Sequence, residues 1–447
     1  MPYRVGKRFR KRFRELAGSY EEVGMRQIRR RRPLLASVVT LGLLLTACGE
    51  DDTDDPTAGG NDSPGDSEET PTGDPITIGI SLPLTGDFSE PGKGIQEGYE
   101  TWAAMMNDSG GLLDRPVELI FRDDASDPNK VVSDYESLIT QEEVDLVFGP
   151  FSTRLVIPAA GVAESYDMLF VEPAGAAPEV FEQGFEYLFY AAPAIASDHY
   201  NYLAEWILGL PEDERPQTAA YAALDDPFAQ GTAYGLKEKL EAGGIETVAD
   251  EVYPPGTTGF TAIAAGIADA DADMVVGGTQ FEDTVGLLRA FQDLGYQPDL
   301  AAFSTGPTLP EFEEAVGAAS EGVIAPVGWS VEADFGANQE FAEKHREVHG
   351  KEPDEDAANG FTTGEIVAAA VEAVECAEQG EECQRALADY IRENEFDTIV
   401  GPLSFDEAGR PQSAHMILQW QGGEIQIVLP EDPEVQTADI QYPKAPW

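Results

Sequence analysis

The most constraining feature of the sequence is a strand–helix–strand pattern in residues 144–180. Two short apolar segments, 145–148 and 168–171, each run into a loop of small residues, and the residues between them predict a helix. This order predicts a βαβ crossover between two parallel strands. Ligands of open α/β sheets bind beyond the carboxyl ends of the strands, so we expect loops 149–154 and 172–177 to meet at one binding crevice.

Strands and helices alternate through most of the chain. In the first half, strands are predicted at 76–80 and 116–121 besides those of the crossover, and the same rhythm starts again after Tyr190. This alternation predicts an α/β fold with two lobes, each with a mostly parallel sheet covered by helices on both faces. In the second lobe strands are predicted at 218–223, 248–253, 274–277 and 300–303, and residues 403–428 predict a terminal hairpin that turns at 406–409.

The amino end predicts export. Four arginines at 29–32 precede the apolar run 34–45, which is too short to span a bilayer and is followed by small residues. This pattern is typical of a secretory signal peptide, here residues 1–47, and Met25 begins a signal of normal length and is the simplest true start. The ending Leu-Thr-Ala-Cys resembles the bacterial lipobox, which implies a lipid anchor on Cys48; a cysteine buried in a membrane helix is the alternative.

Residues 48–74 predict a disordered acidic tether, because they consist almost entirely of Gly, Asp, Glu, Ser, Thr and Pro. From residue 48 onward, 16 Lys and Arg stand against 80 Asp and Glu, a net charge of −64. A negative charge of this size argues against nucleic acid and anionic lipid surfaces as partners, because both would be repelled. It also indicates a high-salt habitat, since counter-ions must screen the repulsion within the folded state.

Cys376 and Cys383 are the only cysteines of the predicted globular body. They lie seven residues apart in an exported chain, without a nearby histidine, and therefore predict a loop disulfide rather than a metal site. No metal or cofactor is predicted. Gly92 and Gly94 lack the third glycine of a dinucleotide-binding loop, so they do not indicate a nicotinamide cofactor.

Four stretches are together similar to a known family. They are Ile-Gly-Ile-Ser-Leu-Pro-Leu-Thr-Gly at 78–86, Asn-Asp-Ser-Gly-Gly-Leu-Leu-Asp-Arg-Pro-Val-Glu-Leu at 107–119, Phe-Gly-Pro-Phe-Ser at 148–152 and Gly-Pro-Leu-Ser-Phe-Asp at 401–406. In combination they resemble the type I periplasmic solute-binding proteins of the leucine/isoleucine/valine-binding kind, over about residues 75–430.

This resemblance implies two Rossmann-like lobes that are joined by a three-strand hinge and close on a solute. One lobe would comprise residues 75–193 and 330–398, and the other 194–329 and 399–447. The resemblance also implies a small-molecule ligand and the permease subunits of an ABC transporter as membrane partners. It implies no catalytic residues.

The resemblance further implies positions for ligand contacts in the first lobe. Ser152 and Thr153 fall where the family places main-chain N–H and hydroxyl donors for a ligand carboxylate, although both residue types are also suited to cap the following helix. Ala174 and Ala176 match a second gripping loop. The family commonly has a hydroxyl at the position of Ala176, so one side-chain donor is missing here.

In the second lobe, Phe228 matches an aromatic wall of the pocket, and Gln280 and Phe281 fall where another pocket aromatic is usual. Thr305 lies in a loop, 304–308, that aligns with the place where amino-acid binders put an acidic residue against the ligand's ammonium group. No Asp or Glu stands in this loop. This departure argues against a standard α-amino-acid ligand.

Two more residues have two interpretations each. Arg154 is expected either to pair with a ligand carboxylate in a bidentate way or to face solvent and balance local acids. Trp329 is expected either to stack on a flat ligand or to pack within the hinge.

Three classes of function make different predictions for such a sequence. A lipid-anchored solute-binding protein agrees with every feature above. A ligand-sensing receptor of the same fold predicts a membrane span or signalling domain downstream, and the sequence ends at Trp447 without one. An exported hydrolase lacks a Gly-x-Ser-x-Gly elbow, and His345 and His349 lack the Glu of a zinc-protease motif. We therefore expect a binding protein that is not an enzyme and whose ligand is an amino acid or a related small amide or carboxylate.

Overall fold

A computed structural model describes residues 73–309, 311–333, 335–432 and 435–447. The predicted signal peptide, the lipidation site Cys48 and nearly all of the tether lie outside the described residues. Within the described ranges, no helix is both long enough and apolar enough to cross a membrane.

The first lobe opens with five strands and three helices. They are β1 (Ile76–Leu82), α1 (Ser89–Asp108), β2 (Val117–Asp123), α2 (Pro128–Thr140), β3 (Leu146–Phe148), α3 (Thr153–Ser165), β4 (Phe170–Glu172) and β5 (Leu188–Tyr190). The strands form a parallel sheet in the order β2–β1–β3–β4–β5. The predicted βαβ crossover is confirmed, since β3 and β4 are parallel neighbours connected by α3.

The second lobe follows, and the chain returns to the first lobe before it ends. The middle of the chain forms α4 (Asn201–Gly209), β6 (Thr218–Leu224), α5 (Pro227–Ala242), β7 (Glu246–Tyr253), α6 (Thr261–Asp269), β8 (Met274–Gly278), α7 (Phe281–Leu294), β9 (Leu300–Phe303), α8 (Glu311–Val316) and β10 (Val323–Val327). The remainder forms α9 (Asn338–His349), α10 (Glu355–Val374), α11 (Glu381–Glu393), β11 (Phe396–Thr398), β12 (Gly401–Leu403), β13 (Met416–Gln421) and β14 (Glu424–Leu429).

The second sheet has seven strands in the order β14–β13–β10–β9–β8–β6–β7, of which β6 to β10 are parallel. The terminal hairpin is β13–β14, and it turns at Gly422 and Gly423, which have φ values of 65° and 81°. The hairpin predicted to turn at 406–409 is therefore wrong. That turn is closed instead by a separate bridge between Phe405 and Pro411. The two glycines adopt the left-handed backbone of a tight hairpin without steric cost.

Aspartate–proline pairs begin two of the helices. The carboxylate of Asp127 accepts a hydrogen bond from the backbone N–H of Asn129, and Asp226 does the same for Phe228 and Ala229. In both helices proline occupies the first turn, where its missing N–H costs nothing. As a result α5 begins at residue 227.

Helices cover both faces of the first sheet. α1 and α10 pack together over one face, where Tyr99, Trp102 and Phe361 are almost completely buried. α2 and α3 cover the opposite face. The axes of α1 and α10 approach closely at Gly98, where a Cβ atom would lie 2.0 Å from the carbonyl oxygen of Ala357. Only glycine fits at this contact.

Three crossings join the lobes. The first falls between Ala196 and Tyr200, the second at Gly328 and the third between Phe405 and Met416, because the buried residues on either side belong to the cores of different lobes. Three crossings of this kind form a hinge about which two lobes are able to rotate.

The third crossing lies later in the chain than expected. Ile399, Val400 and Leu403 are buried in the core of the first lobe, whereas the predicted boundary placed everything from residue 399 in the second lobe. The reason is the short antiparallel ladder β11–β12, which packs on α10 before the chain leaves the first lobe.

A disulfide links Cys376, just after α10, to Cys383 in the first turns of α11, with 6.0 Å between their Cα atoms. The helix α11 itself is absent from the sequence-based prediction. Its carboxyl-proximal residues Leu387, Ala388 and Ile391 are buried in the core of the first lobe, so the disulfide connects two helices of the same layer.

Candidate functional site

The loops after β3 and β4 meet at the carboxyl edge of the first sheet. The backbone N–H of Ala177 donates a hydrogen bond of 3.3 Å to the hydroxyl oxygen of Thr153, which joins one loop to the other. Gly149 lies against Glu172 so closely that a Cβ atom at Gly149 would be 2.2 Å from the Cβ atom of Glu172. The two loops expected to form a crevice are therefore in contact.

Ser152 precedes α3 and has a left-handed backbone, with φ at 74°. Its side chain makes no capping hydrogen bond to the helix. The hydroxyl oxygen is buried and has no hydrogen-bond partner among the described residues. The interpretation of Ser152 as a helix cap is therefore wrong, and its role as a ligand donor stays a prediction.

Arg154 lies on the exposed side of α3, away from the buried Thr153. Its charge helps to lower the pKa of Asp127, whose main stabilisation is the hydrogen bond from the Asn129 N–H. Arg154 is thus an exposed charge that acts on a local acid, and its pairing with a ligand carboxylate stays a prediction.

The second gripping loop has fewer free donors than its sequence indicates. The N–H groups of Ala174 and Gly175 donate to Oε2 of Glu172 at 2.7 and 2.5 Å. Ala176 is buried, and its carbonyl oxygen accepts a hydrogen bond of 2.8 Å from the N–H of Ala196. The buried carboxyl group of Glu172 therefore organises the loop.

Glu172 is the principal residue that the sequence-based prediction missed. It is completely buried at the end of β4. Burial raises the pKa of its carboxyl group to about 8, although the N–H groups of Ala174 and Gly175 partly oppose that rise. The sequence does contain a feature that points to Glu172. It is a charged residue that directly follows the apolar strand residues Phe170 and Val171, at the end of the strand where ligands bind in such sheets.

Of the four residues predicted in the second lobe, Phe228 reaches the lobe boundary. It packs against the core formed by α2 and α3 of the first lobe, and its ring centroid lies 5.7 Å from that of His199. Gln280 is the exposed N-cap of α7, and Phe281 packs within the core of the second lobe. Thr305 contributes its carbonyl oxygen to a 2.6 Å hydrogen bond from the hydroxyl of Thr284.

Three further aromatic side chains lie near the crevice or the hinge. The rings of Phe88 and Phe151 are half-buried, with centroids 5.7 Å apart, and Phe151 belongs to the loop that contains Ser152. Trp329 is buried and donates from its indole N–H to the side-chain oxygen of Asn338 at 2.6 Å. Trp329 therefore packs within the first lobe beside the second crossing, in agreement with the hinge interpretation.

A cavity of about 470 Å³ lies between the lobes. It is lined by Pro178 and Glu179 of the first lobe and by residues of α5 such as Gln230 and Tyr234. None of the nine predicted contact residues lines this cavity. The buried Ser152 hydroxyl without a hydrogen-bond partner, rather than this cavity, marks the crevice between the loops as the candidate site.

A family comparison identifies the class of protein. The family model described as periplasmic binding protein matches residues 75–424. The chain belongs to this family. The family consists of solute-binding proteins rather than enzymes, so the predicted resemblance is confirmed. Among the described residues of this binding protein, no group of three or more His, Cys, Asp or Glu side chains is arranged to hold a metal ion.

Individual relatives agree with this assignment. The Leu/Ile/Val-binding protein homolog 1 of Brucella abortus (strain 2308) is 27% identical over 353 residues, which cover 78% of this chain and 91% of the relative. The substrate binding protein LivJ of Streptococcus pneumoniae, solved with isoleucine, is 20% identical with a TM-score of 0.66, and the match covers 78% of this chain and 97% of that one. A solute binding protein of R. palustris, solved with benzoate, is 19% identical with a TM-score of 0.66 and coverages of 81% and 99%. The predicted two-lobed α/β fold is confirmed.

Proposed function

We propose that this protein is the extracytoplasmic solute-binding component of an ABC importer. It is anchored to the cell membrane through a lipid on Cys48, and it binds an amino acid or a related small amide or carboxylate between its lobes. The solute contacts both lobes at once, so binding favours the closed arrangement that a permease recognises.

The observation that carries the proposal is the unpartnered hydroxyl of Ser152. Buried polar atoms in folded proteins are nearly always hydrogen-bonded, so a buried hydroxyl without a partner calls for an additional group. The hydroxyl lies where the loops after β3 and β4 meet. Phe228 belongs to the second lobe and packs against the core of the first lobe. A small ligand with a carboxylate or carbonyl oxygen satisfies the hydroxyl and is enclosed by the aromatic ring.

The ligands of similar proteins support a carboxylate as the chemical class of the ligand. Isoleucine and benzoate, the ligands in two of the similar structures, are both small molecules with a carboxylate. One carries an ammonium group and an aliphatic side chain, and the other carries a ring without any nitrogen. The class shared by these ligands is therefore a compact carboxylate, which agrees with a hydroxyl donor at Ser152.

A binding experiment tests this function. The purified, processed full chain is screened by thermal unfolding against branched-chain, polar and aromatic amino acids, short amides, urea and aromatic acids. At least one of these compounds is expected to raise the melting temperature, because a ligand that binds only the folded state stabilises it by mass action. No shift with any of them, together with turnover of one of them, would overturn the proposal.

Ser152→Ala provides the matched test of the site. The substitution is expected to weaken binding of the identified ligand by about tenfold, the equivalent of one hydrogen bond, while the melting temperature without ligand stays unchanged. Ser165→Ala is the control, since the Ser165 hydroxyl at the other end of α3 donates to the carbonyl of Val162 at 2.7 Å. Its ligand affinity is expected to equal that of the unmodified protein.

The anchor has its own test. Replacement of Cys48 by serine removes the thiol that a lipid would modify, so the protein is expected to move from the membrane fraction to the soluble fraction of a bacterial host. An unchanged distribution between the two fractions would contradict lipid attachment at this residue and would leave solute binding unaffected.

A further inference from the structure

Gly328 is the residue at which the second crossing passes from one lobe to the other. Val327, the last residue of β10, is buried in the core of the second lobe, and Trp329 is buried in the core of the first. The peptide unit between Val327 and Gly328 therefore has to turn when the lobes rotate relative to each other. The N–H group of Gly328 belongs to this peptide unit, so a group that holds the N–H also resists the rotation.

The side chain of Glu355 holds this N–H group. Its Oε1 atom accepts a hydrogen bond of 2.8 Å from the N–H of Gly328. Glu355 begins α10, and Ala357 and Ala358 of the same helix turn are buried in the core of the first lobe. The bond therefore fastens the turning peptide unit to a helix of the first lobe. Burial raises the pKa of Glu355 to about 7, and both the ionised and the protonated carboxyl group have an oxygen that accepts the N–H.

The other two crossings pack around the same point. A Cβ atom at Gly328 would lie 3.1 Å from Nε2 of His415, at the end of the third crossing, and 3.3 Å from Cδ of Pro193, just before the first. The same atom would lie 2.7 Å from Oε1 of Glu355. All three connections between the lobes are thus packed against the peptide unit that Glu355 holds.

This cluster is continuous with the predicted ligand pocket. The ring of His415 stacks on that of His199, with 3.9 Å between their centroids, and the centroid of the Phe228 ring lies 5.7 Å from that of His199. Phe228 is the predicted aromatic wall of the pocket. Two packed imidazole rings therefore connect this wall to the residues around Gly328.

The two lobes touch each other in the arrangement that contains this hydrogen bond. Gly231 of α5 lies so close to the first lobe that a Cβ atom there would be 3.4 Å from Cδ of Pro178, which directly follows the second gripping loop. The bond between Gly328 and Glu355 is thus made while the lobes meet beside the crevice. Rotation of the lobes away from each other turns the peptide unit at 327–328 and weakens this bond.

We propose that Glu355 is a positioning residue for ligand binding, which favours the closed arrangement of the lobes by holding the Gly328 N–H and does not touch the ligand. The inference rests on the proposed function and adds a residue that sets the affinity from the hinge. Because every ligand binds the same closed arrangement, loss of the bond lowers the affinity for each ligand by the same factor. Loss of a residue that contacts the ligand has a different effect on each ligand.

Two substitutions of Glu355 test the inference in the processed full chain. Glu355→Ala removes the acceptor, whereas Glu355→Gln keeps a side-chain oxygen for the Gly328 N–H. Calorimetric titrations use L-leucine, L-isoleucine, L-phenylalanine, benzoate and 3,4-dihydroxybenzoate. For each of these compounds that binds the unmodified protein, Glu355→Ala is expected to lose about tenfold in affinity, by the same factor, and Glu355→Gln less than about threefold.

Small-angle X-ray scattering provides a measurement without ligand. If Glu355 favours the closed arrangement, ligand-free Glu355→Ala is expected to have a larger radius of gyration than the unmodified protein, and Glu355→Gln is expected to restore the value of the unmodified protein. A purely structural role of Glu355 would lower the melting temperature without this pattern.

Glu365 on the same helix is the matched control. It is buried, and its Oε2 accepts the N–H of Ile399 at 3.1 Å within the core of the first lobe. Glu365→Ala removes the same type of hydrogen bond away from the crossings. It is expected to lower the melting temperature and to leave both the affinity and the radius of gyration unchanged.

The failures of the two proposals are distinguishable. Unchanged affinity in Glu355→Ala, an equal loss in Glu355→Gln or a loss that differs among ligands would refute the role of Glu355 and leave solute binding intact. A loss in Glu365→Ala equal to that in Glu355→Ala would refute it as well. If none of the compounds binds and the wider screen fails, the proposed function falls, and the radius of gyration alone decides: equal values in Glu355→Ala and the unmodified protein would refute the role at the hinge.

Discussion

The imidazole rings of His199 and His415 stack at the hinge, with 3.9 Å between their centroids. His199 stands in the first crossing and His415 at the end of the third, and Gly328 of the second crossing is close enough that a Cβ atom there would lie 3.1 Å from Nε2 of His415. All three connections between the lobes therefore meet in one packed cluster, about which closure has to turn.

Acid is expected to weaken this hinge. Burial lowers the pKa of His199 to about 4 and that of His415 well below its usual value. The unfolded chain, with histidine pKa values near 6.5, binds more protons than the folded chain in this range. The neutral pair thus contributes stability that is complete above about pH 6.5 and is lost as the pH falls toward 4. Urea unfolding at several pH values measures the loss.

His415→Gln isolates this contribution. Carboxyl groups with raised pKa values, among them Glu355 beside the pair, titrate with the opposite sign, so the wild-type profile alone is ambiguous. The variant is expected to be less stable at pH 7 by about 1–3 kcal/mol, because a buried ring is replaced, and to lose less stability than wild type between pH 7 and pH 5. Equal losses in both proteins would show that the histidines do not contribute to the pH dependence.

The contact between α1 and α10 is expected to tolerate no side chain. In Gly98→Ala the new Cβ atom would lie 2.0 Å from the carbonyl oxygen of Ala357, so the helices have to separate at a cost of about 1–3 kcal/mol or more. Gly161→Ala in α3 is the control, because nothing lies within 4 Å of the new atom. The control is expected to gain about 0.5–1 kcal/mol, since alanine favours a helix interior. Thermal unfolding of both variants measures whether the two substitutions change the stability in opposite directions.

Salt is expected to stabilise the folded state. The net charge of −64 from residue 48 onward repels itself more strongly in the compact chain than in the unfolded one. Potassium chloride at about 1 M shortens the Debye length to about 3 Å and screens this repulsion, so the melting temperature should rise between low and molar salt. Sucrose of equal osmolality is the control for effects other than screening. An unchanged or falling melting temperature in salt would count against a high-salt habitat.

Local patterns in the sequence predicted most of the fold. The apolar segments around the crossover became β3 and β4, and the Asp-Pro pair at 127–128 became a helix start, because a capping carboxylate and a preset proline act within three residues. The terminal hairpin was misplaced because two turns competed in one segment. Which of them joins two strands depends on pairing of β13 with β10, about ninety residues earlier in the chain.

The candidate site was predictable only in part. The position of Ser152 at a strand end follows from the sequence, but its left-handed backbone, with φ at 74°, and the absence of a capping hydrogen bond from its hydroxyl were not predictable from it. Glu172 was overlooked because nothing local reveals that its carboxyl group occupies the N–H donors of Ala174 and Gly175. The pairing of those donors is a consequence of tertiary packing.

The sequence by itself determined the alternation of strands and helices, the excess of negative charge and the family, since these depend on composition and on patterns within a few residues. The tertiary structure alone decided which polar atoms are left without hydrogen-bond partners. Glu172 and Glu355 are separated by more than 180 residues, and the return of α10 to the first lobe lets the charges of both contribute to the raised pKa of Tyr190, whose main cause is burial. Burial then raises their pKa values, because a charged group is less stable where protein replaces water.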